Sequence, residues 1–356
     1  MPHLPQSPSP FLSTGSATGS ADLQQGPKPL SAMPSPPPVA LSTSWAPDGC
    51  PDVEAYLDQL QRIGAQALVV VASDAIPADL PLLNQALGRR RHELPVIAVE
   101  GIVGALALGT PHAWQTRLCS TDRDEAQTAV AVVRGAMDLA VQLGAQSVIA
   151  SLGSIGDRGD GIERLFNTLQ ARFRRGVLLY EDEAAGELRA IRGALASRHL
   201  DAAMRSLDPL LEQASRCGLQ LVLRNPPRGI ELPAALELAT LRGVFSGAPL
   251  SSLLDLPAAH AASMLHLLPL RDTVLGFAGA AAATDASTDA PGGSLRPLAN
   301  LADACGAIAG LVPGQGEANP ARVARALPAH AQRLFVPWAQ LGEKEVQRGL
   351  ASVAAL

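Results

Sequence analysis

The sequence predicts an α/β protein built as a parallel eight-stranded (β/α)8 barrel, a TIM barrel. Three observations predict it. Short apolar runs recur along the chain, each followed by a longer amphipathic stretch, which is the rhythm of βα units. The runs are apolar throughout instead of alternating, as expected for strands buried on both faces. The core must also be aliphatic, because 47% of the 356 residues are hydrophobic and only 3% are aromatic. Branched aliphatic side chains fill barrels of this kind.

Residues 1–36 are rich in Pro, Ser, Gly and Thr. Such a segment cannot bury enough apolar surface to offset its ordering entropy, so a disordered tail is expected ahead of a barrel over 37–356. The first strand reads as Val39–Ser44, followed by a helix near Val53–Ile63 that Gly64 ends. Ala67–Ala72 is the second strand. A helix near Leu80–Arg91 leads to the third, Pro95–Glu100. Thr121 or Asp122 can cap a helix over Glu125–Leu143 that Gly144 closes. Ser147–Leu152 is the fourth strand, Gly161–Arg174 a helical insertion, and Asp201–Cys217 the helix before the fifth strand, Leu219–Arg224. Next come a helix over Leu232–Leu241, a sixth strand at Ser252–Asp255 and a seventh at Ser263–Leu268. Residues 278–293 (AGAAAATDASTDAPGG) are low-complexity and read as a flexible excursion. Pro320–Leu327 is helical, Arg333–Pro337 the eighth strand, and Glu343–Leu356 a closing helix. An open doubly wound sheet would normally carry a glycine-rich phosphate loop after its first strand, and Thr43–Gly49 is no such loop.

Composition excludes several classes. A net charge of −5, with short basic clusters at Arg89–Arg91 and Arg172–Arg175, gives no stripe for nucleic acid. No run of 18 apolar residues is present to span a bilayer, and no basic-then-apolar leader opens the chain. Cys50, Cys119, Cys217 and Cys305 are scattered without zinc or disulfide spacing and read as reduced thiols. A cytoplasmic protein with a small-molecule ligand is expected. Its oligomeric state is not legible.

In such a barrel the chemistry sits where strands finish. The polar residues there are Glu100, Ser151, Arg224, Asn225, Asp255 and His266. Glu100 and His266 are candidates for proton transfer, while Arg224, Asn225 and Asp255 are candidates for holding a substrate. Each also has a bland reading: a solvated rim carboxylate for Glu100, a satisfied core histidine for His266, a turn cap for Asp255.

The segments DLAVQLGAQSVIASLGS, LDPLLEQASRCGLQLVLRNPP, SSLLDLPAAHA, MLHLLPLRD and LVPGQGEAN, in that order, resemble the xylose isomerase-like TIM-barrel superfamily. That group includes sugar phosphate isomerases and epimerases and endonuclease IV. The resemblance implies a divalent ion, Mn or Mg, held by a Glu ending the fifth strand, an Asp ending the sixth, a His in the seventh and a Glu ending the eighth. Carried onto this chain, Asp255 and His266 are retained as ligand positions, Arg224 stands for the first Glu and Pro337 for the last. The substrate-contacting Asp-x-x-His element becomes Asp255-Leu-Pro-Ala258, with His260 two residues late. The histidine before the PGxG turn becomes Gly310. A hard divalent cation needs several oxygen ligands, and a guanidinium in the ligand set repels it. The expectation is therefore no metal cofactor, unless Glu100, Asp157, Asp160 or Asp272 rebuild the site.

Three functions follow from the sequence. The chain acts on or binds a small polyhydroxylated or anionic metabolite without metal. Alternatively it is a pseudoenzyme kept for binding or assembly, or a metal-dependent isomerase with substitute ligands. Nuclease activity is the weakest reading, since it needs several metal ligands and a basic surface.

Overall fold

The computed structural model describes residues 38–45, 52–71, 80–101, 117–156, 161–177, 182–226, 228–282, 296–306 and 308–356. The tail expected over 1–36, Cys50, Asp157, Asp160 and most of the low-complexity excursion lie outside these residues.

Strands β1 (Ala40–Ser42), β2 (Ala67–Val70), β3 (Val96–Glu100) and β4 (Ser147–Ala150) open the barrel. They are joined through helices α1 (Val53–Arg62), α2 (Leu80–Arg89) and α3 (Arg123–Leu143). Asp122, not Thr121, caps α3, accepting hydrogen bonds from the amides of Asp124 and Glu125. Gly144 closes that helix in the left-handed region at φ 71°, where a Cβ would be strained. The chain then leaves the barrel for a short strand β5 (Gly153–Ser154), helix α4 (Ile162–Arg174) and the 35-residue helix α5 (Glu183–Cys217). It returns in β6 (Gln220–Arg224), makes β7 (Glu231–Leu232) antiparallel to β5, and continues into α6 (Ala235–Val244) and β8 (Leu250–Asp255). Helices α7 (Leu256–Met264) and α8 (Leu270–Ala282) follow, then β9 (Leu298–Asn300). A hairpin of β10 (Asp303–Cys305) and β11 (Ile308–Leu311), helix α9 (Pro320–Ala324), β12 (Gln332–Phe335) and α10 (Glu343–Ala355) complete the chain.

The barrel is closed in the order β1-β2-β3-β4-β6-β8-β9-β12, with every pairing parallel. Its interior is a cluster of Ala40, Ala67, Val69, Ala98, Ile149, Val222, Leu253, Leu298 and Leu334, to which all eight strands contribute. Their neighbours in sequence, such as Leu41, Leu68, Val99, Leu221 and Phe335, belong to the larger cluster between barrel and helices. This is the period-two alternation of buried strands. A third cluster joins α4 and the start of α5 (Phe166, Leu169, Ala185, Leu188) to Ile230, Leu265 and Leu267. It fixes the inserted helices against the turns beyond the strand ends.

Two sequence expectations are corrected. The seventh barrel strand is Leu298–Asn300, not Ser263–Leu268. Residues 263–264 end helix α7, and the following turn carries His266 at φ 55°, a conformation no strand contains. The physical reason lies at the helix start: Asp255 accepts from the amide of Ala258 and Pro257 stands in the first turn, so the chain turns helical directly after the sixth strand. Secondly, the excursion does not begin at 278, because α8 runs to Ala282.

Candidate functional site

The alternation that fills the barrel also decides which residues face its mouth. Two residues beyond Ala98, Val222, Leu253, Leu298 and Leu334 come Glu100, Arg224, Asp255, Asn300 and Val336. These side chains share the inward side of their strands. The eighth position is thus Val336; Pro337, where the resemblance was read to put the last Glu, is its out-of-phase neighbour.

Arg224 is the centre of this ring. Its Nε donates to Asp255 Oδ2 at 2.7 Å, its Nη2 donates to the same oxygen, and its Nη1 donates to Glu100 Oε1 at 3.2 Å. Burial opposes the guanidinium's charge, but the two carboxylates outweigh it and hold its pKa above the ordinary arginine value. Asp255 is 2% exposed, so leaving it unpaired would cost several kcal/mol. Its Oδ1 accepts from Asn300 Nδ2 at 3.1 Å and from the Ala258 amide at 3.3 Å. Asn300 in turn accepts, through Oδ1, the amides of Ala302 and Val336, both at 3.2 Å. Five barrel strands are thereby tied together through one hydrogen-bonded chain.

Of the sequence candidates, the structure brings Glu100, Arg224 and Asp255 together. Asn225 supports them from behind. It is fully buried, donates Nδ2 to Asp255 O at 3.1 Å and accepts the Asp255 amide through Oδ1 at 2.5 Å. That fixes the main chain at Asp255, and Asn225 does not line the cleft described below. His266 is separate from the ring. It sits in the turn after α7, where its carbonyl accepts from Arg189 Nη1 at 2.6 Å, and it does not line the cleft described next.

A cleft of about 460 Å3 opens over the ring, a size suited to one small metabolite. Arg224, Asp255, Asn300 and Val336 form its floor. One wall is helix α7 (Pro257, Ala258, Ala261), and another is the β10–β11 hairpin with Trp338. Gly310 in that hairpin has φ 82°, and a Cβ there would stand 2.3 Å from the Trp338 amide nitrogen; only glycine admits this approach. The remaining wall is the inserted helix α4, presenting Gln170, Phe173 and Arg174. Arg228 also lines the cleft, with Nε donating to Glu231 Oε1 at 3.1 Å, Nη1 to Glu163 Oε2 at 3.0 Å, and its guanidinium 5.0 Å from the Phe166 ring centroid. Glu231 beside it has its pKa raised by burial, against the pull of Arg228 and Arg224.

The sequence missed Asn300, Arg174 and Arg228, and pointed to Val336 and Trp338 only as the neighbours of Pro337 at a strand end. Helix α4 was legible, but its facing side was not, because nothing local in its sequence says which flank meets the barrel. Asn300 was detectable in principle, as a lone amide after two apolar residues before the Pro313–Gly316 turn.

The residues present do not fit a divalent ion. At the ring positions stand one glutamate, one arginine, one aspartate, one asparagine and one valine; Arg224 engages both carboxylates, and both Asp255 oxygens are already used by Arg224, Asn300 and Ala258. Among the described residues no group of three His, Cys, Asp or Glu side chains is arranged for a metal. Asp272, a possible substitute ligand, is exposed in the first turn of α8 and does not line the cleft.

No protein-family model and no curated protein matches the chain. Solved structures do. A D-tagatose 3-epimerase-like protein superposes with a TM-score of 0.58 at 14% identity, covering 89% of this chain and 98% of its own. A putative xylose isomerase from Rhodospirillum rubrum gives 0.54 at 14%, over 90% and 98% of the two chains. Endonuclease IV from Thermus thermophilus gives 0.51 at 19%, over 90% and 98%. The fold is the xylose isomerase-like (β/α)8 barrel. At these identities the likeness establishes the xylose isomerase-like fold alone, and function rests on the site. No described helix is long and apolar enough to cross a membrane.

Proposed function

We propose that the cleft over the barrel mouth binds a small polyhydroxylated metabolite without a divalent ion, in the cytoplasm and without nucleic acid as a partner. The observation that carries this reading is the placement of Arg224. Its guanidinium bridges Asp255 and Glu100 at the centre of the inward ring, engaging the carboxylates that a divalent ion would need. The cleft volume, the aromatic wall at Phe173 and Trp338 and the polar floor suit a compact sugar or polyol, whose C–H faces pack on rings while its hydroxyls reach polar groups. The similar structures include epimerases of sugars, which supports the same class of ligand.

A second reading, a barrel that binds but no longer catalyses, is favoured by one feature. Glu100 and Asp255, the carboxylates of the ring, are both engaged by Arg224, so neither stands ready as a proton carrier. Titration calorimetry of EDTA-treated protein against ketoses, aldoses and polyols tests the proposal. Binding of at least one sugar is expected, unchanged by added Mn, together with no stoichiometric Mn, Mg, Zn or Co in elemental analysis. One equivalent of retained metal, or binding that requires Mn, would overturn the metal-free reading. Exchange of the ligand's carbonyl-adjacent C–H in deuterated water, followed by NMR, separates the two readings: a proton-moving enzyme exchanges it and the silent barrel does not.

A further inference from the structure

We propose that Arg174 is an anion-recognition residue, so that the ligand of this cleft is a polyhydroxylated metabolite bearing an oxyanion, a phosphate or a carboxylate; this rests on the reading of the cleft as a sugar-type site. Three arginines line the cleft. Arg224 is neutralised by Asp255 and Glu100, and Arg228 by Glu163 and Glu231. Arg174 has no ion pair or hydrogen bond among the described residues, although its neighbour Arg172 pairs with Asp182 at 3.0 Å. Among the described residues that line the cleft, Asp255 alone bears a carboxylate, and Arg224 already occupies it. Among the described residues a ligand entering this space therefore meets one cation whose side-chain donors are uncommitted, and that cation stands on helix α4.

The surroundings of Arg174 make it a recognition group and not merely a solvated helix end. Gln170, four residues earlier and on the same helix face, also lines the cleft and adds an amide donor. Phe173 between them belongs to the buried lobe: its ring lies 3.3 Å from the position a Cβ would take on Gly306 in the facing hairpin. Helix α4 is held by the cluster of Phe166, Leu169, Leu188, Ile230 and Leu265, so its cleft face is a rigid wall. A guanidinium fork donates two parallel hydrogen bonds to either a phosphate or a carboxylate. A ligand with its oxyanion on Arg174 and its hydroxyls over Asn300 and the Arg224–Asp255 pair spans the cleft from lobe to barrel. Arg224, the anion binder that the sequence suggested, is the buried counter-charge of the floor, and the oxyanion is assigned to the lobe.

The test uses a ketohexose, its 6-phosphate, the corresponding aldonate and inorganic phosphate. Binding is read by calorimetry and by the fluorescence of Trp338, whose ring lies in the cleft wall. The phosphorylated or carboxylated sugar is expected to bind about tenfold or more tightly than the neutral one. Arg174→Gln should abolish that preference, and Arg174→Lys should keep part of it. The 6-phosphate and aldonate arms tell which oxyanion is preferred. Binding of the neutral sugar with no gain from the anion, or a gain that survives Arg174→Gln, overturns this inference and leaves the sugar-site reading standing. Failure of every sugar to bind overturns both. Inorganic phosphate that protects the unmodified protein against thermal unfolding, but not the Arg174→Gln variant, supports the assignment on its own.

Discussion

The two sides of the cleft treat charge in opposite ways. On the barrel side every charged or amide group is spent within the protein: Arg224 on Asp255 and Glu100, Asp255 also on Asn300, Asn300 also on the Val336 amide. On the lobe side Gln170 and Arg174 face the same space, and Arg174 has no protein partner among the described residues. The contrast follows from burial. Asp255 is 2% exposed, and a charge held at that depth must be paired for the fold to survive. Arg174 is exposed, so water satisfies it until a ligand does. One wall is thus constrained by stability and the other is available for recognition.

The sharpest way to break this comparison is to delete one charge from each wall. Asp255→Ala leaves the Arg224 guanidinium with Glu100 alone, removes the α7 cap and strands the Asn300 amide. The expected loss is about 3 kcal/mol, the low end for a broken buried pair because Arg224 keeps 24% exposure. Arg174→Gln should change stability by less than about 0.5 kcal/mol, as exposed substitutions do. Urea melts of both variants check this. Comparable losses in the two would mean that the lobe wall is structural as well.

The next effect concerns the ring's identity. If Arg224 excludes a metal by charge and ligand type, restoring donors should admit one. The combined variant Arg224→Glu, Asn300→His, Val336→Glu places two carboxylates and an imidazole beside Asp255 on the inward positions of four strands. Without metal it should be less stable than the unmodified protein by about 2 kcal/mol, since buried carboxylates repel. Added Mn should recover that loss and remain bound at one equivalent through desalting. Arg224→Glu with Val336→Glu alone, which leaves Asn300 in place and His266 as the available imidazole, should fail, because His266 lies in a turn outside the ring. A variant that gains no metal would show that the ring's geometry, and not its chemistry, excludes the ion.

The displaced histidine shows where sequence reading succeeds and stops. Seven barrel strands were located within a residue or two because each is a dense apolar run bounded by helix signals. The seventh failed for a physical reason. Leu298–Asn300 is three residues long and follows a low-complexity segment, so it carries almost no local signal. Helix α7 (LPAAHAASM) is apolar on nearly all sides, and its run into Leu265–Leu268 mimics a buried strand. The capping aspartate and the proline two positions later were the readable sign against it. In the site, Arg224 and Asp255 were legible because a charge that closes a buried apolar strand must either pair within the protein or meet a ligand. Asn300, Trp338 and Arg174 were not, because their relevance depends on which loop folds over which strand.

The smallest effect tests whether the satisfaction that marks the barrel wall extends to His260, a buried group that departs from the pattern. His260, on α7 but outside the cleft lining, is 5% exposed, and its buried Nε2 has no hydrogen-bond partner among the described residues. The nearest carboxylate oxygen, Glu317 Oε2, is 3.7 Å away. Burial lowers the His260 pKa below its ordinary 6.5, with Glu317 and Asp303 pulling the other way. The sign follows directly. Between the folded value and 6.5 the unfolded chain binds a proton that the folded chain refuses, so stability falls as pH drops through that window. His260→Leu removes both the proton and the unsatisfied nitrogen while keeping an apolar side chain of similar size. Stability measured from about pH 7.5 down to about pH 5 should therefore fall less steeply in the variant, by at most one proton or about 1.4 kcal/mol per pH unit. Glu231, whose pKa burial raises, works with the opposite sign and is common to both proteins, so it cancels in the difference. Parallel curves would mean that His260 keeps its proton in the fold, held by Glu317.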